Sequence, residues 1–582
     1  MFRSASNNNI EVYADSVTCF IRKCVEDVVP TKIIRIYPNQ KPWINSEVCA
    51  ALNSRTFAFN SGTVEEHKQA SYALRKTIRV AKRHDELNTF YARFEGTYTL
   101  LAERALAAEA TEVSTLSVSV ADVTRSFRRV NIRKAAGPDG IPGRVIRECA
   151  NQLASVFTDI FNLSLSLSVV PTCFKTSTIV PVTKQSNITC LNDWRPVALT
   201  PIISKCFERL VRDYICSVLP PSLDPLQFAY RNNRSTDDAI ASTIYTALSH
   251  LEKRNTYVRM LFVNYSSAFN TIVPSMLDVK LRALGLNSLL CSWILDFLSN
   301  RRQVVRMGSN IPSSLTLNYG VPQGSVLGPL LFSIYMMPLG NIIRKHGISF
   351  HCYADDTQIY ISSRPDENAK FSELTECVKD IKDWMMRNFL LLNPDKTEVI
   401  PIGSKNRPQN LAQYNFNIIG CPVTLSSTVK DLGVILDCNL SFENHISYVT
   451  KTAFFHLRNI ERLRKFGMNR HILTRFYTST VESIVTGYIT AWYGNTIARD
   501  RKALQRVVHT ASRIIGGELP SLQEIYARRC VKKARRIIRD SSHPSHGLFS
   551  LLPSGRRYRS IRTRTSRLHD SFFPQAIRFL NS

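Results

Sequence analysis

Two adjacent aspartates, Asp355 and Asp356, constrain the fold of this chain more than any other feature. The segments on either side, Ile348–Cys352 and Thr357–Ile361, are apolar and β-prone, which predicts a β-hairpin with the pair at its tip. Neighbouring carboxylates repel each other unless a cation or solvent compensates them. Acidic hairpin tips are also common as solvated turns, so the pair by itself leaves both interpretations open.

Phosphoryl transfer by two metal ions needs carboxylates from separate strands, with the ions about 3.5–4 Å apart. The best partner strand is Tyr257–Val263, which runs directly into Asn264. A helix is predicted next, because Pro274 suits its start and Gly285 suits its end. We therefore expect Asn264 and Asp355 to face each other across neighbouring strands.

A glycine-rich segment, residues 320–330, lies between these two candidate strands. Glycines allow the backbone to approach a ligand closely. The apolar run that follows, Val326–Ile343, is predicted to be buried core rather than a membrane span, because glycines and prolines interrupt it. Neither a signal peptide nor a membrane anchor is predicted.

In this order the segments resemble the reverse transcriptases of non-LTR (LINE-type) retrotransposons. The matching motifs are F-x-[D]-x-x-x-A-F at 262–269, GVPQGSVLGP at 320–329, YADD at 353–356, KAAGPDGI at 134–141, NDWRPV at 192–197, QFAYR at 227–231, LNPDKTE at 392–398 and KDLGV at 430–434. The flanking segments 37–43 and 551–558 resemble those of vertebrate elements.

The resemblance implies an α+β, right-hand polymerase fold with an antiparallel palm sheet. The implied divisions are a linker and helical extension (1–120), fingers (121–250), palm (251–420), a helical thumb (421–498) and a basic helical C-terminal region (499–582). Within the thumb, a Ser at the start and Gly467 at the end predict one amphipathic helix over 441–467.

The resemblance also implies site roles. Asp355 and Asp356, with the backbone of Tyr265, would bind two Mg²⁺ ions, with Mn²⁺ as the alternative, and Asn264 occupies the position of a third catalytic carboxylate. The implied substrate contacts are Lys184 and Arg195 with the triphosphate, Phe269 with the sugar, Gln323 and Gly324 with the nascent base pair, and Lys396 with the pyrophosphate. Core filling remains the alternative for Phe269, and a solvated surface for Lys184 and Lys396.

Two departures from the family are expected to matter. The family has an aspartate where this chain has Asn264, and an amide lacks the charge that holds Mg²⁺. No carboxylate lies between Phe262 and Thr271 to replace it. The residues before 130 also read as linker and helix rather than an endonuclease domain, which suggests a truncated copy with impaired synthesis.

The chain carries a formal net charge of +29, which favours a polyanionic partner. From Arg499 onward there are 19 Lys and Arg against 5 Asp and Glu. This region, including Arg556, Arg557 and Arg559, is predicted to bind nucleic acid, with the aromatic residues Tyr526, Phe549 and Tyr558 interleaved. A merely solubilising tail is the alternative. The expected partners are an RNA template, a DNA primer or target and deoxynucleoside triphosphates.

The 14 cysteines form no CxxC pair, which favours reduced thiols and a nuclear or cytoplasmic compartment. Cys530, His543 and His546 have a spacing that leaves a zinc site open. Two other function classes also remain open: a catalytically dead nucleic-acid-binding protein, and another palm-fold polymerase or maturase. Primer extension on an RNA template separates synthesis from binding alone.

Overall fold

The chain divides into two compact units. The first comprises residues 1–220, 267–335 and 388–390, and the second comprises 221–266, 336–387 and 391–582. The computed structural model describes residues 2–7, 9–28, 46–61, 63–94, 116–184, 190–219, 224–253, 255–266, 268–306, 314–364, 369–393, 397–403, 416–418, 421–423 and 425–582.

The strands are short, and most pair antiparallel. In chain order they are β1 (Ser177–Thr183), β2 (Trp194–Leu199), β3 (Tyr257–Val263), β4 (Tyr265–Ser266), β5 (Arg301–Val305), β6 (Leu315–Leu317), β7 (Ser349–Tyr353), β8 (Asp356–Ser363), β9 (Leu391–Leu392), β10 (Glu398–Ile402), β11 (Phe416–Ile418), β12 (Cys421–Val423), β13 (Thr428–Asp431) and β14 (Val434–Asp437).

Helices make up much of both ends of the described chain. They are α1 (Phe2–Ala5), α2 (Ile10–Val28), α3 (Ser46–Ser61), α4 (Val64–Tyr91), α5 (Val120–Arg128), α6 (Gly143–Glu148), α7 (Ala150–Leu167), α8 (Thr172–Lys175), α9 (Ile202–Val218), α10 (Thr236–Leu251), α11 (Pro274–Ala283), α12 (Ser288–Leu298), α13 (Gly328–Lys345), α14 (Ala369–Arg387), α15 (Glu443–Lys465), α16 (Arg470–Tyr477), α17 (Ser483–Val485), α18 (Ile489–Trp492), α19 (Ala498–Ile515), α20 (Leu522–Ile538), α21 (Ser566–Asp570) and α22 (Phe572–Asn581).

The first unit is built on a mixed sheet in the order β2-β1-β5-β6, in which only the β1–β5 pair is parallel. Leu87 and Tyr91, at the end of α4, pack on Ile179, Ala198 and Val305 of this sheet. A chain of buried aromatic rings joins the helices beside it, and its members are Phe127, Phe157, Phe161, Phe207, Trp293 and Phe297. Apolar and aromatic burial of this kind stabilises helices that are individually short.

The second unit is built on an antiparallel sheet in the order β10-β3-β8-β7. One continuous core joins α10 and strand β3 to α15, α19, α20 and α22. The mixed α and β architecture agrees with the predicted α+β class. None of the helices in the described ranges is long and apolar enough to cross a membrane.

Several elements of both units form as the sequence predicts. Strand β3 has the expected bounds, strand β7 is shifted by one residue towards the C-terminus, and strand β8 extends beyond the predicted segment at both ends. Helix α11 begins at Pro274, and Gly285 beyond its end has a φ of 81°. Local turn and cap chemistry therefore determines these boundaries.

The start of helix α15 differs from the prediction, which expected the helix to begin at a capping Ser441. The helix begins at Glu443, and the cap residue is Phe442 with a φ of 60°. The Asp437 carboxylate accepts the backbone N–H groups of Ser441 at 3.1 Å and Phe442 at 2.7 Å, and Ser441 Oγ accepts that of Glu443 at 3.4 Å. A carboxylate from the preceding strand thus satisfies the donors just before the helix, beside the serine.

The basic C-terminal region is helical, as predicted, and it is part of the core of the second unit. Leu504, Ile525 and Phe573 are each 1% exposed or less. Tyr526 and Phe549, two of the aromatic residues interleaved with the basic ones, are also buried and offer no exposed ring to a bound nucleic acid. They fill the core because they lie on the inner faces of helices and turns whose outer faces carry the charges.

We predict that Asp437→Ala lowers the free energy of unfolding by roughly 2–3 kcal/mol, because it leaves buried N–H donors without an acceptor. Chemical denaturation followed by circular dichroism measures the loss. Glu461→Ala, an exposed change on the same helix, is the control and should stay within about 0.5 kcal/mol. Equal losses in the two variants would contradict the capping role of Asp437.

Candidate active site

The β3–β8 ladder brings the two candidate strand ends together. Val263 pairs with Thr357, so the next residue of β3, Asn264, lies opposite Asp356 at the start of β8. Asn264 Nδ2 donates a hydrogen bond to Asp356 Oδ1 at 2.8 Å. The strands are neighbours, as expected, but the bonded carboxylate is that of Asp356, next to the predicted Asp355, because the hairpin turn places Asp355 one residue beyond the ladder.

The amide at position 264 changes the chemistry of this contact. Two carboxylates at this distance would repel each other and favour a bridging cation. The amide nitrogen instead satisfies the Asp356 oxygen directly, without an ion. Tyr265, the next residue, is buried, and its hydroxyl lies 3.1 Å from Thr357 Oγ1, so the strand end is held rigidly below the contact.

Metal-ligand groups are sparse in the described part of the chain. Across those residues, no cluster of three or more His, Cys, Asp and Glu side chains is arranged to hold a metal ion. The zinc site left open for Cys530, His543 and His546 gains no support from the structure. Cys530 is buried in the core, and His543 Nδ1 accepts the N–H of Ser545. Asp355 and Asp356, with Asn264 beside them, are a reduced donor set for divalent ions.

The tip of the hairpin is strained, and a residue from another segment holds it. Ala354 has a φ of 56°, a conformation that non-glycine residues adopt at a cost. Gln227 Oε1 accepts the N–H of Ala354 at 2.9 Å and that of Ala229 at 3.0 Å. Backbone bonds join Phe228 to Cys352 and Cys352 to Leu226, each 2.9 Å long. Gln227 therefore positions the aspartate pair. The sequence showed the QFAYR motif to which this residue belongs, but it did not assign this role to Gln227.

A buried carboxylate lies behind the hairpin and was not identified from the sequence. Asp431 is 2% exposed and accepts a hydrogen bond from Gln358 Nε2 on strand β8. Its Oδ2 has no hydrogen-bond partner among the residues described. Burial, reinforced by the charge of Asp356, raises the pKa of Asp431 to about 8. Its place at the end of strand β13 is visible only in the folded chain.

The glycine-rich segment of the first unit packs tightly on the residues that follow Asn264 in sequence. Val321 N donates to Phe269 O at 2.7 Å, and a Cβ at Gly320 would lie 2.8 Å from Asn270 Cα. Gly324 has a φ of 122°, and a Cβ there would lie 2.6 Å from Ala198 O. Glycine is required at both positions because the backbone packs against backbone.

Side chains of the glycine-rich segment and of the neighbouring residues form a small polar and aromatic surface. Gln323 Nε2 donates to Asn270 Oδ1 at 3.2 Å, and its carbonyl accepts the N–H of Ala198 at 2.9 Å. Phe269 stacks on Phe332 with centroids 4.5 Å apart. The stacking fixes the plane of the Phe269 ring, and the residue is half-buried rather than fully buried. The structure thus brings together Phe269, Gln323 and Gly324.

The predicted phosphate contacts lie at one end of the β1–β2 hairpin. Arg195 pairs with Val182 across the hairpin and is exposed. Lys184 is exposed just beyond β1, and its Nζ donates to the carbonyl of Asn192. Lys396 lies outside the described residues.

The three predicted arginines of the C-terminal region lie on a tight exposed turn. Leu552 N donates to Arg557 O at 2.8 Å, and Arg559 N donates to Ser550 O at 2.7 Å. All three side chains, those of Arg556, Arg557 and Arg559, are exposed. The turn presents their charges to solvent on a rigid backbone.

We predict that Gln227→Ala loosens the aspartate hairpin, because the N–H of Ala354 loses its acceptor. Hydrogen exchange of peptides spanning residues 349–358 should accelerate about tenfold, which corresponds to about 1.4 kcal/mol of local stability. Peptides from the centre of strand β3 serve as the internal control and should be unchanged. Unchanged exchange at the hairpin would contradict the positioning role.

We predict that Asp431 makes the protein less stable as the pH rises. The folded chain holds this proton up to a pKa of about 8, whereas an unfolded aspartate releases it near pH 4. Its stabilising contribution is full below about pH 4 and is lost as the pH rises to about 8. Asp431→Asn should flatten this part of the curve, measured by denaturation at several pH values.

The matched control for that series is Asp213→Asn, at an exposed position on α9. The control should reproduce the parent curve. If Asp431→Asn also reproduces it, the buried carboxyl does not titrate as proposed.

Comparison with known proteins supports the sequence resemblance. Residues 182–436 match the family model described as reverse transcriptase (RNA-dependent DNA polymerase). The RNA-directed DNA polymerase from mobile element jockey of Drosophila melanogaster is 26% identical over 341 residues, which are 57% of this chain and 36% of that protein. The probable RNA-directed DNA polymerase from transposon X-element of the same species is 27% identical over 331 residues, 56% of this chain and 36% of that protein.

A third relative is the retrovirus-related Pol polyprotein from type-1 retrotransposable element R1 of Bradysia coprophila, 24% identical over 382 residues, 64% of this chain and 37% of that protein. The chain thus spans little more than a third of the length of these relatives. The likeness of its flanks to vertebrate elements stays a prediction. Over residues 182–436, this chain is similar to the reverse transcriptases of non-LTR retrotransposons.

Proposed function

We propose that the chain catalyses RNA-templated DNA synthesis only weakly, because Asn264 has replaced a catalytic carboxylate. The hydrogen bond from Asn264 Nδ2 to Asp356 Oδ1 is the observation that carries this proposal. An amide nitrogen that faces a carboxylate occupies the space in which a shared cation would lie. The implied substrates are an RNA template, a DNA primer and deoxynucleoside triphosphates.

The right-hand layout is part of the proposal: fingers over 121–250, palm over 251–420 and thumb over 421–498. Helix α15 supports the thumb assignment because one face presents residues spaced three and four apart, all exposed. These are Asn444, Tyr448, Lys451, Phe455, Arg458, Arg462 and Lys465. Such a stripe of aromatic and cationic side chains suits contact with a template–primer duplex.

Reverse transcriptases use divalent metal ions, and the residues present here fit two Mg²⁺ ions poorly. Asp355, Asp356 and the backbone of Tyr265 would hold such ions, but the bond from Asn264 ties up one oxygen of Asp356. Mg²⁺ demands a regular shell of oxygen donors, and Mn²⁺ is the alternative ion. The poor fit is the physical basis of the weak synthesis that we propose.

The other predicted residues keep roles that their geometry allows. Phe269, fixed by its stacking on Phe332, would lie under the sugar and reject a 2′-hydroxyl. Gln323 and Gly324 would contact the nascent base pair through a loop whose backbone is closely packed. Arg195 and Lys184 would bind the triphosphate with a fork of donors and a point charge. Lys396 keeps its proposed role towards pyrophosphate.

We predict that Asn264→Asp raises primer extension on an RNA template by about 10²–10³-fold, since it restores a charge-bearing ligand in a preorganised site. The new carboxylate pair should also make the melting temperature rise with Mg²⁺, which the parent should not show. Extension is measured with Mg²⁺ and with Mn²⁺ at equal protein concentration.

The controls are Asn264→Ala, which removes the side chain, and Asp355→Asn in the Asn264→Asp background, which should abolish the gain. An Asn264→Asp protein that responds to Mg²⁺ in melting but extends no better than the parent would assign the defect to other positions. A protein with neither response would refute the metal role of position 264.

A catalytically dead nucleic-acid-binding protein is the second candidate function. The exposed arginines at 556, 557 and 559 and the basic face of α15 favour it, because neither depends on position 264. Binding of RNA without extension, in the parent and in Asn264→Asp alike, would select this candidate. A nuclear or cytoplasmic location is proposed for either function.

A further inference from the structure

Helix α20 lines a large groove of the second unit. The groove has a volume of ≈ 1260 Å³, and the polar residues Ser235, Asp237 and Thr490 form part of its wall. Seven cationic side chains of or just beyond α20 also line it: Arg528, Arg529, Lys532, Lys533, Arg535, Arg536 and Arg539. Such a concentration of one charge sign in a concave surface attracts a polyanion.

Three of these cations are used within the protein. Lys533 Nζ lies 2.9 Å from Asp237 Oδ2, and Arg536 donates to Asp238 at 2.6 Å. Arg529 donates to the carbonyl of Thr486 at 2.6 Å. The two ion pairs neutralise Asp237 and Asp238 and hold α20 against α10.

The other four cations, which we call the outer stripe, are Arg528, Lys532, Arg535 and Arg539. All four are exposed, and within the described residues their side chains have no hydrogen-bond or ion-pair partner. Their spacing of four, three and four residues places them on one face of the helix, about 5–6 Å apart at Cβ. Over eleven residues the stripe is about 16 Å long, which matches about five phosphates along one strand of B-form DNA.

The groove has no surface for base stacking. Phe579 is the aromatic residue in its lining, and its ring is packed edge-on against Tyr526 with centroids 5.9 Å apart. Proteins that hold single strands combine a basic groove with exposed aromatic faces. A groove with charges alone suits the regular phosphate backbone of a double helix.

We propose that the outer stripe is a binding site for the phosphate backbone of double-stranded nucleic acid. The proposal rests on the nucleic-acid binding proposed above, and it assigns that binding to a helix other than α15 and to residues outside the arginine turn. Contacts to phosphates carry no base-sequence information, so we expect binding at this site to be independent of sequence. An acidic protein surface is the competing occupant.

The test is a variant in which all four residues of the outer stripe are changed to Gln. Binding to a 24-base-pair DNA duplex, the matching RNA duplex and the single-stranded oligonucleotide is measured from about 50 to 200 mM salt. The slope of log affinity against log salt should decrease by about 3–4 for the DNA duplex, since each phosphate contact contributes about 0.9. Parent and variant affinities at low salt should then differ by about 100-fold or more.

The matched control removes four exposed charges elsewhere: Lys23, Arg147, Lys253 and Lys379, each changed to Gln. It should retain the parent slope. A stripe variant with the parent slope, or one weakened only on single strands, overturns the proposal, as does equal weakening in the control. The comparison of the DNA and RNA duplexes shows which kind of duplex is bound. In a competition assay, an acidic polypeptide that binds better than either duplex would assign the groove to a protein partner.

Failure of this proposal differs from failure of the proposed function. If the parent binds no nucleic acid at all, nucleic-acid binding itself fails. If the parent binds duplexes and the stripe variant binds them equally well, only the site is wrong. Circular dichroism and melting of the stripe variant should match the parent, because the four side chains are exposed and form no hydrogen bond or ion pair with the described residues.

Discussion

The antiparallel ladder between strands β3 and β8 is the constraint on which the candidate site depends. Its register places position 264 directly opposite Asp356, at the start of strand β8. With an aspartate at 264, the contact would be repulsive and would need a cation. With asparagine, the same contact is a hydrogen bond that stabilises the ion-free chain. In the function that we propose, the asparagine therefore replaces a repulsive, metal-favouring pair of carboxylates with a hydrogen-bonded one, a common relation between stability and activity.

The surroundings of strand β8 are polar and buried, which is unusual in a sheet core. His351 lies 2.8 Å from Thr243 Oγ1, and burial lowers its pKa to about 3, so the ring is neutral. Gln358 bonds to Asp431 behind the hairpin. Buried polar networks of this kind are costly unless they are satisfied, and they restrict the core to one arrangement. Together with the Gln227 contacts, these bonds hold the strand that carries the strained Ala354 turn, although Asp431 Oδ2 and His351 Nδ1 have no hydrogen-bond partner among the described residues.

The C-terminal region shows how one composition can serve two purposes. Its basic residues suggest a loosely attached tail, yet its apolar residues complete the core of the second unit. The two faces of the amphipathic helices differ in what their cations do. Cations on the inner face, such as Lys533, neutralise acidic side chains, and cations on the outer face are exposed to solvent. Removal of the region would therefore remove core as well as charge, and substitutions at the surface separate the two effects.

The sequence by itself determined strand β3, the hairpin at 355–356, helix α11 and the place of the glycine-rich segment, because turn residues and strand-forming residues act locally. The prediction that Asn264 occupies the position of a catalytic carboxylate also comes from the sequence. Only the tertiary structure decided that Asn264 bonds to Asp356, that Gln227 holds the hairpin and that Asp431 lies buried behind it. These contacts join residues 92, 127 and 73 positions apart. Strand register and long-range packing set them, and neither can be read from local propensity.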